Sequence, residues 1–517
     1  MQANPATGTV EAVEHCPSQH LHTLILSSKR LGATARVVPR QPLAASSVSR
    51  KHSDNVKQSA PLSSASGGCG MTIEVVNHTG REVAIANFSK ERYLCPAYMD
   101  REWERIWRRT WLLAGLEGDL AAPGDFFVFD LGREQILVTR AADGQLRAFY
   151  NVCQHRGNRL VAEERGKASN FRCAYHAWTY GLDGALNAIP CEDRFPQGVP
   201  RRERALRPVE VDVWDGLVFI CMAENPMPLL DFLGPVTEWL APYRFRSMTL
   251  VEDQTVHHHC NWKAVVDNFS ELYHVDFLHP QHKRMVDCCN DTVHLFPEGH
   301  TGLAVRGATV NPRFPIPEEP TDIQSAQLQS LGLDPADFRG RVLEVREAVQ
   351  RRKREVGRDF GYDYSRFADD QLSDVWQYNL FPNTIFSFTP EHLWILRPRP
   401  HASDPQQCWF DKMSLVLHAD PSLSGQTRGI GGPARHGHNL TDGTKPADYV
   451  RPQRDQFEHH AILSGEKTMT DTIDQDIELL GGVQAGMGSA GFDSVWLNDD
   501  ELRVQHFHNQ LDACMRD

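Results

Sequence analysis

Four residues of the types that bind metals, arranged as two short pairs, constrain the fold of this chain most. Cys153 and His155 are separated by one residue, and Cys173 and His176 follow after a gap of 17 residues. Each pair lies in a loop between predicted strands, because "QILVTR", "LRAFYNV" and "LVFICM" are strand-like and "ADGQ" and "LDGA" carry the Asp-Gly hairpin signal. Two such loops meeting at one centre predict a small all-β domain over residues 113–225.

The spacing of the four residues indicates which metal centre they form. Two thiolates and two imidazoles suit tetrahedral zinc. They equally suit a [2Fe-2S] cluster in which one iron binds two cysteines and the other binds two histidines. Zinc fingers usually open with C-x2-C or C-x4-C, whereas this chain has C-x-H and C-x2-H. We therefore predict a [2Fe-2S] cluster on Cys153, His155, Cys173 and His176, with zinc and a chance grouping as the alternatives.

Length and composition exclude several classes of protein. A chain of 517 residues is long enough for two or three domains. The net charge of -13 argues against nucleic acid as a partner, and no apolar run reaches the roughly 18 residues that a membrane span needs. The 12 cysteines have no disulfide framework spacing, so reduced thiols and metal ligands are expected.

The first 70 residues differ from the rest in being basic, rich in Ser and Ala, and linker-like. Three interpretations stay open: a disordered tail, an organelle transit peptide, or an extension before a true start at Met71. We expect a cytoplasmic location, or an organelle if the segment is a transit peptide. Residues 71–112 are expected to be an N-terminal helical part of the larger domain formed by residues 226–517, and "MDREWERIWRRTW" (99–111) predicts an amphipathic helix there.

A second metal site is indicated in the mixed helix and strand region, residues 226–517. The segment "NWKAVVDNFSELYHVDFLHP" predicts a helix over 261–280 that carries Glu271, His274 and His279. Two histidines and a carboxylate form the facial triad of non-haem Fe(II) oxygenases. Positions i and i+5 lie about 140° apart on a regular helix, so both histidines can reach one metal only where the helix is distorted or ends. Pro280 favours such an end.

The carboxylate that completes this triad is expected downstream. The segment "TDTIDQDIELLGGVQAGM" offers four acidic residues, and helical spacing does not choose among them: Asp471, Asp474, Asp476 and Glu478. The segments "TIFSFT", "HLWILRP" and "CWFDKMSLVL" predict antiparallel strands of one sheet. The tract "HHHC" (257–260) is expected to end a strand with alternate histidines exposed, and not to bind metal.

Two segments resemble a known family. "CQHRGNRL" and "CAYHAWTYGLDG" resemble the Rieske motif of ring-hydroxylating oxygenases, and "NWK…YH-x4-H" resembles the iron-binding segment of their catalytic α subunits. The likeness covers roughly residues 90–300 and 375–510. It implies an α+β fold, with a small all-β Rieske [2Fe-2S] domain (113–225) and a larger helix-grip catalytic domain with an antiparallel sheet (226–517, joined by 71–112).

The resemblance also assigns residues at the second site. It implies His274, His279 and Asp476 as ligands of a mononuclear Fe(II), the last because Gln484-x-Gly486 follows it by eight residues as in the family's C-terminal motif. It implies that Glu271 bridges, across a subunit boundary, to the cluster ligand His176. Many ring dioxygenases carry aspartate at the position of Glu271, whereas glutamate is more typical of choline and carnitine oxygenases.

The function implied by the resemblance is that of the oxygenase component of a multicomponent enzyme. It would use O2 and electrons from a ferredoxin, an NAD(P)H-dependent reductase, or both, to hydroxylate an organic, aromatic substrate by mono- or dioxygenation. A homotrimer is expected, with β subunits as a possible addition. The alternatives are a monooxygenase of a quaternary ammonium compound, favoured by Glu271, and a Rieske protein that only transfers electrons.

Basic residues near the cluster motif give a candidate surface for the electron donor. They would steer an acidic ferredoxin, with an ordinary charged surface as the alternative: Arg156, Arg159, Arg165, Lys167 and Arg172.

Overall fold

The computed structural model describes residues 74–424 and 448–516, which all fall in one compact unit. The interpretations offered above for residues 1–70 lie outside these residues. The strands are β1 (Glu74–Asn77), β2 (Phe88–Ser89), β3 (Leu112–Leu116), β4 (Asp125–Asp130), β5 (Gln135–Arg140), β6 (Leu146–Tyr150), β7 (Arg165–Lys167), β8 (Phe171–Arg172), β9 (Thr179–Tyr180), β10 (Leu186–Ala188), β11 (Pro208–Trp214), β12 (Leu217–Cys221), β13 (Met248–His258), β14 (Val286–Leu295), β15 (Thr301–Gly307), β16 (Val375–Leu380), β17 (Thr384–Thr389), β18 (His392–Pro400), β19 (Cys408–Leu417), β20 (Asp455–Glu458) and β21 (Ser494–Val495).

The helices of the described residues are mostly short. They are α1 (Glu91–Leu94), α2 (Pro96–Glu102), α3 (Leu229–Leu233), α4 (Val236–Leu240), α5 (Trp262–Asn268), α6 (Val275–Leu278), α7 (Asp322–Ser330), α8 (Val345–Val356), α9 (Pro421–Ser424), α10 (His459–Leu463), α11 (Asp471–Met487) and α12 (Leu502–Met515). Within this part of the chain, no helix is both long enough and apolar enough to cross a bilayer.

Two large sheets organise the molecule, and the predicted α+β class is confirmed. The larger has nine strands in the order β1-β14-β15-β16-β17-β18-β19-β13-β20, and it is antiparallel except at its two outer pairs. The smaller has seven strands in the order β3-β12-β11-β6-β5-β4-β7, next to a three-stranded sheet β10-β9-β8. The strands predicted from "QILVTR", "TIFSFT" and "CWFDKMSLVL" are confirmed residue for residue as β5, β17 and β19.

The predicted helix over 99–111 is confirmed only in part. It comprises α2 and a following π-helical turn, Trp103–Trp107. Its apolar face is buried as expected, with Trp103, Ile106 and Trp107 inaccessible to solvent. The backbone departs from α geometry where two tryptophan rings enter the core together, and Trp107 packs edge-on against Trp262 at 4.8 Å.

Strand β13 leads directly into α5, and buried polar contacts hold this helix in place. The Asn261 side chain accepts a hydrogen bond from Lys263 N at the start of α5, and its amide donates to Pro405 O at 2.6 Å. Asn261 N donates to Gln484 Oε1 on α11 at 2.8 Å. The Lys263 ammonium binds Glu102 at the end of α2 at 2.6 Å, with both side chains buried. The ends of α2, α5 and α11 are therefore joined at one place.

A buried carboxylate connects the two large sheets. Asp411 on β19 is inaccessible to solvent and accepts hydrogen bonds from Arg397 Nε at 2.9 Å and Arg399 Nη2 at 2.8 Å, both on β18. Arg397 Nη1 continues to Leu113 O on β3 at 2.6 Å, and Arg399 Nη1 donates to Asp130 O on β4. One anion therefore orients two guanidinium groups that reach the backbone of the other sheet.

Replacing Asp411 by asparagine should lower the free energy of unfolding by about 3–5 kcal/mol, because two buried guanidinium groups lose their counter-charge. Burial would raise the pKa of Asp411, but Arg399 and Arg397 hold it well below its usual range. The stability that Asp411 adds to the wild type is thus complete above the pKa of an unfolded aspartate, about 4. It is lost as the pH falls from there toward the lower pKa of the folded state. Denaturant titrations at several pH values measure it.

The matched control for this experiment is Asp100→Asn. Asp100 pairs with Arg133 at 2.6 Å, but its side chain is 62% exposed, so a loss below about 1 kcal/mol is expected. Equal losses in the two variants would show that Asp411 has no special role.

Candidate functional site

The four residues of the Cys-His motif lie on two loops that have the same backbone turn. The first loop follows β6 and the second joins β8 to β9. In the first, Cys153 N donates to Asn158 O at 2.8 Å and Gly157 N donates to Cys153 O at 3.0 Å. In the second, Cys173 N donates to Trp178 O and Ala177 N to Cys173 O, both at 2.9 Å.

This turn requires a left-handed residue four positions after each cysteine. That residue is Gly157 in the first loop, with φ 74°, and Ala177 in the second, with φ 58°. Glycine adopts this conformation freely, whereas alanine does so at a cost that the surrounding structure must offset. The repeated turn gives both cysteines equivalent positions.

The loops bring together residues of the same type. The rings of His155 and His176 lie 4.6 Å apart, and the thiols of Cys153 and Cys173 contact one another in the core. Burial raises the pKa of Cys153. For Cys173, burial is outweighed by hydrogen bonds from backbone N–H groups, so its pKa is lowered. A cysteine pair beside a histidine pair is the donor set of a [2Fe-2S] cluster in which the cysteines bind one iron and the histidines bind the other.

The two histidines have different surroundings. The His155 ring stacks on Trp178 at 4.7 Å, and its Nδ1 is buried with no hydrogen-bond partner among the described residues. The His176 ring packs against Tyr175 at 3.7 Å. Tyr175 is 54% exposed and carries the Arg156 guanidinium over its ring at 5.2 Å. Both histidines are half-buried, and the orphaned nitrogen of His155 fits a metal ligand.

Tyr180, which the sequence analysis did not identify, contacts one of the cysteines. Its hydroxyl accepts from Gln154 N at 3.0 Å and lies 3.4 Å from Cys153 Sγ. Because the hydroxyl already accepts from the backbone, its own hydrogen is free to be donated to the sulfur. The only sequence signal was a tyrosine four residues after His176.

Tyr180→Phe should lower the reduction potential of the cluster. A hydrogen bond to sulfur favours the more negative, reduced state, and a loss of about 0.5–1.5 kcal/mol corresponds to about 20–60 mV for one electron. A spectroelectrochemical titration measures this potential. Tyr175→Phe is the matched control because the ring of Tyr175 is exposed. The reduction potential of the cluster in this variant should be unchanged. An unchanged or higher potential in Tyr180→Phe would contradict the assignment.

The second predicted site is assembled by a broken helix. The predicted continuous helix over 261–280 is wrong, because α5 ends at Asn268 and α6 comprises only Val275–Leu278. His274 precedes α6 and His279 follows it, with φ -114° and ψ 75° at His279. This break resolves the angular difficulty of the i, i+5 spacing, because the rings of His274 and His279 lie only 5.2 Å apart.

The acidic residue that meets the two histidines is Asp476 on α11. Its Oδ1 lies 3.0 Å from His279 Nε2 and 3.7 Å from His274 Nε2. In the part of the chain that the structure describes, these three residues are the sole group of three or more His, Cys, Asp or Glu whose donor atoms all lie within 4.8 Å of one another. Asp474 instead accepts from Met469 N at 2.8 Å, and Asp471 and Glu478 are exposed.

Asp476 Oδ1 fits a metal ligand better than a hydrogen-bond acceptor. It is buried, and despite the short distances it has no hydrogen-bond partner of acceptable geometry among the described residues. Burying a carboxylate oxygen without a partner is costly. Two imidazole nitrogens and this oxygen facing one point are the donors of the facial triad that suits Fe(II).

The other nitrogen of each histidine is held by a neighbour. His274 Nδ1 donates to Glu271 Oε1, and Glu271 Oε2 accepts from His274 N at 3.0 Å. His279 Nδ1 donates to Gln475 Oε1 at 2.7 Å. Burial would lower the pKa of His274, but Glu271 and Asp476 raise it above its ordinary value. Both Nε2 atoms are thus directed toward Asp476, in an electronegative pocket.

The other candidate residues belong to neither group of metal donors. His257 and His258 end β13, His258 is buried, and His259 is exposed, as expected for a strand end. Arg165 does not belong to the exposed basic surface, because only 28% of its side chain is exposed and it pairs with Glu164 at 2.6 Å and with the buried Asp253 at 3.6 Å. The other four basic residues near the cluster loops are exposed: Arg156, Arg159, Lys167 and Arg172.

The structure thus has two candidate metal centres, which together define the class of protein. One is formed by the paired cysteines and histidines of two loops, and the other by two histidines and an aspartate. A family described as "Ring hydroxylating alpha subunit (catalytic domain)" matches residues 245–517, and "Rieske [2Fe-2S] domain" matches residues 110–205. The chain belongs to the family of ring-hydroxylating α subunits. A Rieske cluster and a mononuclear iron are the cofactors that these two domains imply.

Curated relatives of two kinds are similar to part of the chain. A glycine betaine monooxygenase oxygenase subunit from Pseudomonas aeruginosa (strain UCBPP-PA14) is 36% identical over 191 residues, which is 36% of this chain and 44% of that protein. The large oxygenase component of a naphthalene 1,2-dioxygenase system from Pseudomonas putida is 35% identical over 184 residues, 34% of this chain and 41% of that protein. The chain thus matches less than half the length of these relatives.

Solved structures of the same two kinds share the fold. The quaternary ammonium Rieske monooxygenase CntA in complex with an inhibitor has a TM-score of 0.58 at 19% identity, covering 84% of this chain and 96% of that chain. A naphthalene 1,2-dioxygenase mutant bound to phenanthrene has a TM-score of 0.58 at 18% identity, covering 85% and 95%.

Proposed function

We propose that this chain is the oxygenase component of a Rieske oxygenase system that hydroxylates an organic substrate with O2. The observation that carries the proposal is the buried, unpartnered Asp476 Oδ1 facing the Nε2 atoms of His274 and His279. Cys153, His155, Cys173 and His176 would hold the [2Fe-2S] cluster. When bound, the two centres supply one-electron transfer and activation of O2, which side chains cannot supply. The proposed domains are 113–225 for the cluster and 71–112 with 226–517 for the iron.

The residues of the chain prepare the second site for this chemistry. Glu271 and Gln475 keep a proton on Nδ1 of each histidine, so that both Nε2 lone pairs are available. Three protein donors leave positions for O2 and substrate. The nearly complete burial of His279 and Asp476 restricts water on that side.

An aromatic compound is the proposed substrate, and a quaternary ammonium compound is the second candidate. The second is favoured by Glu271, since glutamate at this position resembles choline and carnitine oxygenases. A quaternary ammonium substrate would be bound by an aromatic cage, and the aromatic residues of β16 and β18 give no support for one. Trp376 and Tyr378 are buried in the core, and Trp394 lies under the Lys412 ammonium at 5.5 Å.

A single turnover with isotopically labelled O2 tests this function. Chemically reduced protein would be exposed to a panel of aromatic acids, hydrocarbons and quaternary amines, and the products read by mass spectrometry. Two labelled oxygens on a ring would establish an aromatic dioxygenase. One labelled oxygen, or loss of a methyl group as formaldehyde, would establish a monooxygenase, and a quaternary amine as the substrate would select the second candidate.

His274→Ala should reduce product formation to background in the same experiment, because one of three metal donors is lost. The visible spectrum of the cluster should persist, since its ligands lie elsewhere. His460→Ala, at an exposed position on α10, is the matched control and should keep full activity. Product formation at the wild-type level in His274→Ala would show that the iron site is wrongly assigned.

We further propose a head-to-tail homotrimer in which Glu271 meets His176 of the next subunit. Both residues lie beside side chains that an interface between subunits could use. Arg156 and the exposed Tyr175 lie beside His176. Glu271 lines a cavity with Asp291 and Asp500, which also contains Arg313 and Arg503. The exposed rings of Tyr273 and Phe277 follow Glu271 in the chain and are proposed to contact the partner.

Mixed oligomers test this arrangement. Cys173→Ser removes the cluster and His274→Ala removes the iron, so each variant alone should be inactive. If electrons cross between subunits, random one-to-one trimers should regain about a quarter of the wild-type rate, because one of three contacts in each mixed trimer is productive. Inactive mixed trimers, isolated through two different affinity tags, would rule out transfer between subunits.

The proposed electron donor is a ferredoxin or an NAD(P)H-dependent reductase with an acidic docking surface. The exposed basic residues near the cluster loops are its proposed contact: Arg156, Arg159, Lys167 and Arg172.

A further inference from the structure

Helix α11 carries a second functional residue directly before the proposed iron ligand Asp476. Gln475 Oε1 accepts a hydrogen bond from His279 Nδ1 at 2.7 Å. The same oxygen accepts from Gln281 Nε2 at 3.0 Å. Because Gln281 donates through its amide nitrogen, Gln475 presents its carbonyl oxygen to both neighbours. The proton of a neutral His279 is thereby placed on Nδ1, and the lone pair on Nε2 faces Asp476.

A second contact, from a residue one turn earlier on α11, holds the segment that follows α6. Thr472 Oγ1 lies 3.2 Å from Gln281 Nε2 and 2.9 Å from His282 Nε2. Residues three apart on a helix lie on one face, so Thr472 and Gln475 act together on the segment that follows α6. His279 is therefore fixed both through its own ring and through the residues after it.

The two histidines of the site receive different kinds of support. His274 donates to the carboxylate of Glu271, whereas His279 donates to the neutral amide of Gln475. A charged acceptor polarises an imidazole N–H more strongly than a neutral one and makes the other nitrogen a stronger donor. The site thus contains one carboxylate-supported and one amide-supported imidazole.

We infer that Gln475 is a positioning residue that sets the tautomer and ring orientation of His279 and keeps it the weaker donor of the two histidines. The inference rests on the proposed function, because it takes His274, His279 and Asp476 as a metal site. Groups that orient metal ligands commonly change metal affinity by about 10–100-fold when they are removed.

Metal affinity tests the inference without measuring catalysis. The mononuclear site of the full chain would be emptied with a chelator, with the visible spectrum confirming that the cluster is retained. Co2+ would then be titrated in competition with a chelator of known affinity. Gln475→Leu removes the acceptor and should weaken Co2+ binding by about 10–100-fold. Gln475→Glu keeps the acceptor and adds charge, so it should bind Co2+ as tightly as wild type or more tightly.

Two further variants serve as controls. Glu478→Gln changes the charge of an exposed residue on the same helix and should leave Co2+ affinity unchanged. Gln475→Asn keeps the amide but shortens its reach by one methylene, so it should bind weakly and can replace Gln475→Leu if that variant does not fold.

The outcomes separate this inference from the proposed function. Wild-type affinity in the leucine and asparagine variants would overturn the role of Gln475, as would a glutamate variant as weak as the leucine variant. If wild type itself binds Co2+ no better than His274→Ala, the proposed iron site is wrong, and the inference fails with it for that separate reason.

Discussion

The buried Asp411 carboxylate is the interaction on which the arrangement of the two sheets depends. It has no solvent contact, and its charge is balanced by Arg397 and Arg399. Such an ion group is stable only when its remaining hydrogen-bonding atoms are also satisfied, and here Thr255 and backbone carbonyls of the smaller sheet satisfy them. The carbonyls that receive the two arginines belong to β3 and β4, so the ionic group specifies which part of the smaller sheet faces the larger one.

Much of the site was predictable because its signals are local. The spacing of Cys153, His155, Cys173 and His176 predicts both the loops and the grouping of like residues. Strands such as β5, β17 and β19 followed from composition alone, since each contains β-branched residues and the last two also contain aromatic residues. Asp476 could be separated from its acidic neighbours only by a family resemblance, because all four lie within a little over two turns of one helix.

What the sequence did not predict depends on contacts between distant segments. A continuous helix was expected where the structure has a break between α5 and α6, because residues 261–279 contain neither glycine nor proline to interrupt a helix. In the sequence, Tyr180 and Gln475 look like ordinary polar residues. Only the structure shows that their side-chain oxygens lie beside Cys153 and His279. Arg165 appeared to be part of a basic surface, and only the fold shows that it pairs with Glu164 near the buried Asp253.

The two sets of metal donors differ in how far they extend along the chain, and this difference sets the order in which the two metal sites can form. The four proposed ligands of the cluster lie in one short stretch, between Cys153 and His176, so on this proposal that stretch can hold its cofactor as soon as its own small sheets have formed. The His274 and His279 pair must wait for Asp476, which is synthesised nearly two hundred residues later and reaches the pair only once α11 has docked. Retention of iron would therefore require the whole catalytic fold to be complete, whereas the colour of the cluster would require only the first half of the chain to be folded.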